Sequence, residues 1–441
     1  MQGEIKRILQ EKLASGLSAS VPSLTRREIR LPQVPGKALA VVGMRRSGKT
    51  SFLWQCLSDL LDAGVPRETL LYLNFEDERL AEMDVTGLSF VLEEYYRLYP
   101  AFRDRETVTL FLDEIQLVSG WESFTRRILD SEKVRLFLSG SSATMLSREV
   151  ATSMRGRALE VTVFPFSFRE ALAHRGELPA KPWGLLPKNR RSALERAFHD
   201  YLQTGGFPEA QGVADRDRRP LLQSYVDVAV LRDVIDRHGV SNPVALRWLQ
   251  RHLLGSPTAP FSIQKFYDSL KSQGIPIGKD TLHAFLGYLE DAFLIRTTAM
   301  LAASERQRMV NPRKAYPIDT GLIPLYERTG RANTGHALET AVFLELQRRG
   351  CEVHYLRTPG GFEIDFHATD PEGRRFLIQV CADASDPATF EREVRALAEA
   401  HVRFPEARPL LLLLNPPGPS ATPPSPVEIV SALPWFLDRA A

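Results

Sequence analysis

Residues 43–50 read Gly-Met-Arg-Arg-Ser-Gly-Lys-Thr, a complete GxxxxGK[ST] pattern. Such a stretch functions only between a strand and a helix. Its glycines let successive backbone N–H groups turn inward around phosphate oxygens, and the helix start adds its dipole. Both flanks are present here. The apolar run Ala38–Val42 precedes the pattern, and Ser51–Leu61 follows it with helical spacing. Lys49 is then placed to reach β- and γ-phosphate oxygens, and the Thr50 hydroxyl to sit on Mg²⁺. Gly43, Arg46, Ser47, Gly48, Lys49, Thr50 and Ser51 are the expected nucleotide contacts, with ATP and Mg²⁺ as the expected ligands.

Four further apolar runs, Leu70–Leu73, Val108–Leu112, Val134–Leu138 and Val161–Phe164, alternate with helical patterns at Leu88–Leu98 and Trp121–Asp130. Strands separated by helices predict an α/β fold with a parallel sheet covered on both faces. The third run ends in Asp113-Glu114. Asp113, at the carboxyl edge of the sheet, is expected to orient the metal's water shell, and Glu114 to polarise the attacking water. A pair of surface acids is the competing reading, and the phosphate loop weighs against it. Ser139 or Ser141, after the next strand, is placed to hydrogen-bond the γ-phosphate or that water. Arg155 and Arg157 precede the last core strand and can supply positive charge to the transition state, in cis or from a neighbouring subunit; a plain ion pair is the alternative. Arg45 and Arg46 either meet phosphate or pair with Glu76 and Asp77.

The remaining composition sets limits. At roughly 100–200 residues per domain, 441 residues make two to four units. A net charge of +2 excludes a strongly basic nucleic-acid sink without excluding a local basic face. Cys56, Cys351 and Cys381 are too few and too scattered for a disulfide framework or a thiolate zinc site, which points to a reducing compartment. The first residues carry charges where a signal peptide needs an apolar core, and the longest oily run, Leu410–Leu414, is far short of the ~20 residues that span a bilayer. A soluble cytoplasmic protein with no membrane partner is expected.

Along the chain, residues 1–36 read as an amphipathic helix (Glu4–Ala14) and linker, and 37–166 as the nucleotide-binding core. Residues 167–240 read as a helical lid or connector. In 241–313, two helical patterns, Ser262–Gln273 and Lys279–Asp291, precede the strand Phe293–Thr297 and a hairpin wing over Met300–Arg313, the order of a winged helix. Residues 314–441 read as a separate α/β domain, with helices at Gly335–Arg349 and Thr389–Val402 among five short strands.

Several phrases together resemble one family, the bacterial and archaeal AAA-type ATPases with a C-terminal domain of unknown function, DUF4143. They are GMRRSGKT (43–50), YLNFEDERL (72–80), FLDEIQ (111–116), LSGSSATML (138–146) with MRGR (154–157), FPFSFREAL (164–172) and YLQTGGFPEA (201–210). The resemblance implies the additional-strand P-loop class, with sheet order 5-1-4-3-2. It also implies Walker roles for Lys49, Thr50, Asp113 and Glu114, and favours Arg157 among the arginines. Phe261–Ile295 resembles the family's winged-helix segment. The family's last domain resembles the restriction-endonuclease-like fold, where a helix Glu, a strand Asp and an (E/Q)xK motif bind Mg²⁺ and activate water. Those positions are Glu339, Asp365 and Gln379 here, with Glu363 two residues before Asp365 and Cys381 where the lysine belongs. A vestigial metal site at Glu339, Glu363 and Asp365, without nuclease chemistry, is the expectation. The chain has no lysine after Lys314, so rescue of cleavage would fall to an arginine.

Three functions follow in order: an ATPase that binds or remodels duplex or branched DNA, as a motor, a helicase or a branched-DNA processor; a nucleotide-controlled switch that binds another protein in defence or signalling; and an ATP-dependent nuclease. A homo-oligomer fits the first two.

Overall fold

The computed structural model describes residues 3–140, 154, 156–302, 304, 307, 311–327, 333–415 and 426–438. The chain divides into two compact units, residues 1–164 with 291–293, and residues 165–290 with 294–441.

The first unit is built on five parallel strands, β1 (Ala38–Val42), β2 (Leu70–Asn74), β3 (Val108–Asp113), β4 (Val134–Gly140) and β5 (Ala158–Thr162), in the order β2-β3-β4-β1-β5. Read from the other edge this is the expected 5-1-4-3-2. Every residue of β1 and β3 is buried, as strands covered on both faces must be. Helices α2 (Lys49–Asp62), α3 (Val85–Leu98) and α4 (Trp121–Ser131) connect them, and Phe52, Leu57, Phe111 and Phe137 belong to one apolar cluster on the sheet. Phe111 and Phe137 stack with ring centroids 4.7 Å apart. Because β1 and β3 run in parallel, the loop after Val42 and the acids at Asp113-Glu114 emerge at the same sheet edge. The last strand begins at Ala158, three residues earlier than the apolar run suggested.

The N-terminal residues are part of this unit. Helix α1 (Gly3–Ser18) lies along β2 so closely that a Cβ on Gly16 would fall 2.0 Å from the Tyr72 carbonyl oxygen. Lys12 donates to the Asn74 carbonyl at 3.1 Å, and Arg67 to those of Gly16 and Ala19 at 2.8 and 3.1 Å.

The second unit opens with helices α5 (Phe168–His174), α6 (Lys188–Thr204) and α7 (Asp215–Val228), the last continuing as a π-helix over Ala229–Asp236. Ser167 and Glu170 close a capping box on α5. Helix α8 (Pro243–Gly255) leads into β6 (Pro260–Phe261), α9 (Ile263–Ser272), α10 (Lys279–Asp291), β7 (Ile295–Ala299) and β8 (Arg313–Pro317). The three strands form a small antiparallel sheet, β6-β8-β7, so the hairpin is made by β7 and β8 on either side of the segment the sequence assigned to it. The boundary expected at residue 314 therefore falls inside β8.

Helix α11 (Thr334–Arg348) and α12 (Pro387–Arg403) pack on a second five-stranded sheet of β9 (Glu352–Arg357), β10 (Glu363–Thr369), β11 (Arg375–Cys381), β12 (Arg408–Leu413) and β13 (Glu428–Ser431), in sequential order from β9 to β13. Its β9–β11 half is antiparallel and its β11–β13 half parallel. A final turn, α13 (Ala432–Leu437), buries Trp435 and Phe436. The small sheet joins this one: Leu301 N–H donates to the Tyr355 carbonyl at 2.7 Å and Thr298 Oγ1 to that of Val353 at 2.6 Å. Among the described residues, no helix is long and apolar enough to cross a membrane.

Candidate nucleotide site

Gly43 has φ 152° and Gly48 φ 99°, and a Cβ on Gly43 would meet the Val163 carbonyl oxygen at 2.3 Å. These two positions of the loop thus need glycine. Arg46 takes a left-handed φ of 66° between them, and Ser47 is buried with no hydrogen-bond partner for its hydroxyl. Lys49 is buried at the start of α2, its Nζ donating to the carbonyls of Gly43 and Met44 at 3.1 Å each.

Thr50, on the exposed first turn of α2, donates its hydroxyl to Asp113 Oδ2 at 2.9 Å. Asp113 is fully buried and heavily hydrogen-bonded. Oδ2 also accepts from the Tyr72 hydroxyl at 2.7 Å and from Asn74 Nδ2 at 3.4 Å, and Oδ1 accepts from Ser139. Tyr72 and Asn74 alternate along β2, so both face Asp113 on the adjacent strand. A threonine hydroxyl against a carboxylate, both oxygen donors beside a phosphate-binding loop, suits Mg²⁺ with nucleotide phosphate. The residues present fit that ion.

Glu114 adopts a left-handed φ of 54° and accepts from the side chain of Gln116. Burial raises its carboxyl above the usual glutamate range, with Lys49 pulling the other way. Its backbone N–H donates to Ser139 Oγ at 3.1 Å. Ser139 thus links Asp113 to Glu114, the two acids expected to handle the metal and the attacking water. Ser141 and Arg155 lie outside the described residues. Ser51 is exposed at the start of α2.

Arg157 stands apart from this group. It precedes β5, and its carbonyl accepts from Ala38 N–H at 2.8 Å, at the start of β1. The phosphate loop leaves the other end of β1, four residues on, which at ~3.3 Å per residue is about 13 Å away. The side chain makes a two-pronged ion pair with Asp130 at 3.0 Å on both contacts. The plain ion pair named as the alternative is therefore formed in this structure. Asp77 pairs with Lys12 at 3.0 Å and with Arg79 at 2.8 Å.

Two contributors escaped the sequence reading. One is Arg27, buried in the segment ahead of β1, whose guanidinium donates to the carbonyls of Ser47 and Phe164. The other belongs to the acids of the last domain. Glu339 (α11), Glu363 and Asp365 (β10) do converge, and Lys314 from β8 lies among them. The expectation that an arginine must supply positive charge there is corrected: Lys314 itself does. Gln379 accepts from Asp365 N–H at 3.2 Å and donates to Glu393 at 2.7 Å, and Cys381 donates to the Asp383 carbonyl at 3.2 Å.

A model described as an AAA domain matches residues 35–172, and a domain of unknown function, DUF8612, matches residues 195–330. The uncharacterized protein MJ1544 of Methanocaldococcus jannaschii is 31% identical over 401 residues, covering 90% of this chain and 86% of that protein. The chain belongs to the MJ1544 family. Its first unit is that of an AAA-type P-loop ATPase. Another relative of this MJ1544-family chain, an uncharacterized protein of Haemophilus influenzae, is 28% identical over 329 residues, covering 74% of this chain and 78% of that one. Among solved structures, the Walker-type ATPase PABY2304 of Pyrococcus abyssi is similar with a TM-score of 0.41 at 17% identity, covering 74% of this chain and 95% of that one. Where the sequence reading expected DUF4143 over 314–441, the matched model is DUF8612 and ends at residue 330. The acid cluster therefore lies largely beyond both matched ranges.

Proposed function

We propose that the protein is a Mg²⁺-dependent ATPase that couples hydrolysis to binding or remodelling of DNA. The observation that supports hydrolysis best is the 2.9 Å pairing of Thr50 with Asp113, beside the loop and directly before Glu114. Thr50 and Asp113 would hold Mg²⁺, which supplies charge neutralisation on the β- and γ-phosphates. Lys49 adds a fixed positive charge from inside the loop. Glu114 polarises the attacking water, and its raised proton affinity makes it a stronger base than an ordinary glutamate. Asp113 is poorly suited to that task, because its two oxygens already accept four hydrogen bonds. Ser139 sets the spacing between the two acids. Arg157 would supply positive charge to the nucleotide of a neighbouring copy.

The DNA assignment rests on reading α9, α10 and the β7–β8 hairpin as a winged helix. Helix α10 exposes Lys279, Asp280 and His283, and α9 exposes Lys265 and Lys271 beside Asp268. Tyr288 is stacked on His238, and Glu290 accepts from Thr297. Contact would be with the phosphate backbone, weak and salt-sensitive. A second reading, a nucleotide-controlled switch for a protein partner, is favoured by a different observation. Val228, Leu231, Val244 and Trp248 are each more than two-fifths exposed on α7, the π-helix and α8, with Arg247 and Asp227 paired at 3.4 Å beside them. The deciding experiment is ATP turnover against single-stranded, duplex and branched DNA at about 50 mM salt and at several times that. Stimulation that disappears as salt rises supports the DNA reading. No stimulation and no binding at low salt transfers the proposal to the protein switch.

A further inference from the structure

Lys314 belongs to the small sheet, yet its side chain ends among acids carried by another sheet and helix. Its Nζ lies 2.9 Å from Glu339 Oε1, 2.9 Å from Glu363 Oε1 and 3.3 Å from Asp365 Oδ1, and the side chain is 2% exposed. Tyr316, two residues along the same strand, donates its hydroxyl to Glu339 at 3.1 Å. An ammonium has three N–H donors and no acceptor, and three carboxylates face it here. These are the acids that the nuclease-like resemblance assigns to a divalent ion. Mg²⁺ would approach such oxygens to ~2.0–2.1 Å and would need the space that Nζ fills. It would also place two further positive charges against a buried one. Among the described residues, no group of His, Cys, Asp and Glu side chains is arranged to hold a metal ion. The residues do not fit a resident metal.

We infer that Lys314 is a tethered cation standing where a divalent metal would bind, so that the acid site is held together by the chain's own charge and performs no phosphodiester cleavage. This inference does not depend on whether the protein's partner is DNA or protein.

The charge balance agrees with it. Arg357 offers Glu363 a second positive partner at 3.3 Å. Burial first, and Glu339 second, push the Asp365 carboxyl up towards its neutral form. Burial opposes the charge on Lys314, but Asp365, Glu339 and Glu363 outweigh it and keep the amine protonated. The cluster thus approaches neutrality with no metal. Both oxygens of Asp365 are engaged within the chain, Oδ2 accepting from Val380 N–H at 3.0 Å and Oδ1 from Lys314 at 3.3 Å. The lysine also ties β8 to α11 and β10, giving the site a mechanical purpose that outlasts any lost chemistry.

The test is Mn²⁺ uptake by the full, nucleotide-free chain, measured by equilibrium dialysis and by Tm. Wild-type protein is expected to bind no Mn²⁺ that Asp365→Asn removes, and its Tm should ignore the ion. Lys314→Met should have a lower Tm, take up one Mn²⁺ per chain and regain several degrees with it, whereas Lys314→Met with Asp365→Asn should bind none. If Lys314→Met does not fold in chelator, it is refolded with Mn²⁺: recovery supports the inference and failure overturns it. A wild-type Mn²⁺ site lost in Asp365→Asn, DNA cleavage lost in the same variant, or a folded Lys314→Met chain that takes up no metal would each overturn it as well.

Discussion

The guanidinium of Arg27 donates to the carbonyl oxygen of Ser47 at 2.9 Å, so a residue from the segment ahead of the first strand braces the phosphate loop from outside. The same group reaches the Phe164 carbonyl, just past β5. Gln55 fixes the backbone of Arg27 in both directions, accepting its N–H at 2.6 Å and donating to its carbonyl at 3.1 Å. The loop is therefore held between α2, β5 and a segment with no regular structure of its own.

Arg27→Ala should weaken ATP binding by about ten- to a hundredfold, since charge-assisted hydrogen bonds contribute ~1.5–3 kcal/mol. Arg27→Lys keeps the charge and should fall between the two. Titration with a fluorescent ATP analogue checks this. An alanine variant that binds as wild type does would show that the brace is not needed.

Glu114→Gln should retain ATP while turnover drops by at least about a hundredfold, whereas Lys49→Ala should lose both. In the wild type, the rate should decline as pH falls, because a protonated Glu114 cannot accept a proton. Burial raises this carboxyl, so the midpoint should lie above the ordinary ~4.3 of glutamate. A kcat profile from pH 4 to 8 reads it directly, and a midpoint at the ordinary value would count against Glu114 as the base.

Ser139→Ala should reduce kcat about tenfold with little change in KM for ATP, a difference of ~1.4 kcal/mol in the transition state alone. The serine touches Asp113 and the Glu114 backbone, so its loss shifts the acids relative to each other rather than the bound phosphates. A change confined to KM would place it at the phosphate instead.

Asp319 offers a pH test in the second unit. Burial raises its carboxyl to about 6, with the N–H groups of Gly206 and Gly321 pulling it down. Between the unfolded value of ~3.9 and this one, the folded chain binds more protons. The contribution is present below pH 4 and is lost as pH rises through 6, at a cost of up to about 3 kcal/mol. Asp319→Asn should therefore gain Tm relative to wild type as pH rises from 4 to 7. A constant difference across that range would refute the shift.

Most of the regular structure was legible, because the first unit's strands are buried on both faces and read as unbroken apolar runs. The run Ala38–Val42 is β1 to the residue. The last strand was misplaced for the opposite reason: β5 is an edge strand whose exposed Glu160 interrupts the apolar pattern, so the run Val161–Phe164 starts three residues late and ends past the strand. The Walker residues declare themselves by local order along the chain. Arg27 and Lys314 do not, because each works through contacts formed only in the tertiary fold. Lys314 is 25 positions from Glu339 and 51 from Asp365, on a strand of another sheet, where no motif spacing would look for it. The position of Arg157 was readable in principle, since a residue just before a parallel strand lies opposite a loop just after one.

Helix α1 has a consequence for where the ATPase unit begins. It shields the outer carbonyls of β2, an edge strand of the parallel sheet, and the segment behind it carries Arg27. A fragment started at residue 35, where the AAA match begins, loses both. Its bared β2 edge would offer hydrogen-bonding groups to the next molecule, the usual route to sheet-on-sheet self-association. The stretch that family resemblance recognises is thus shorter than the stretch that covers its own sheet edge, and the missing part is the one with the least recognisable sequence.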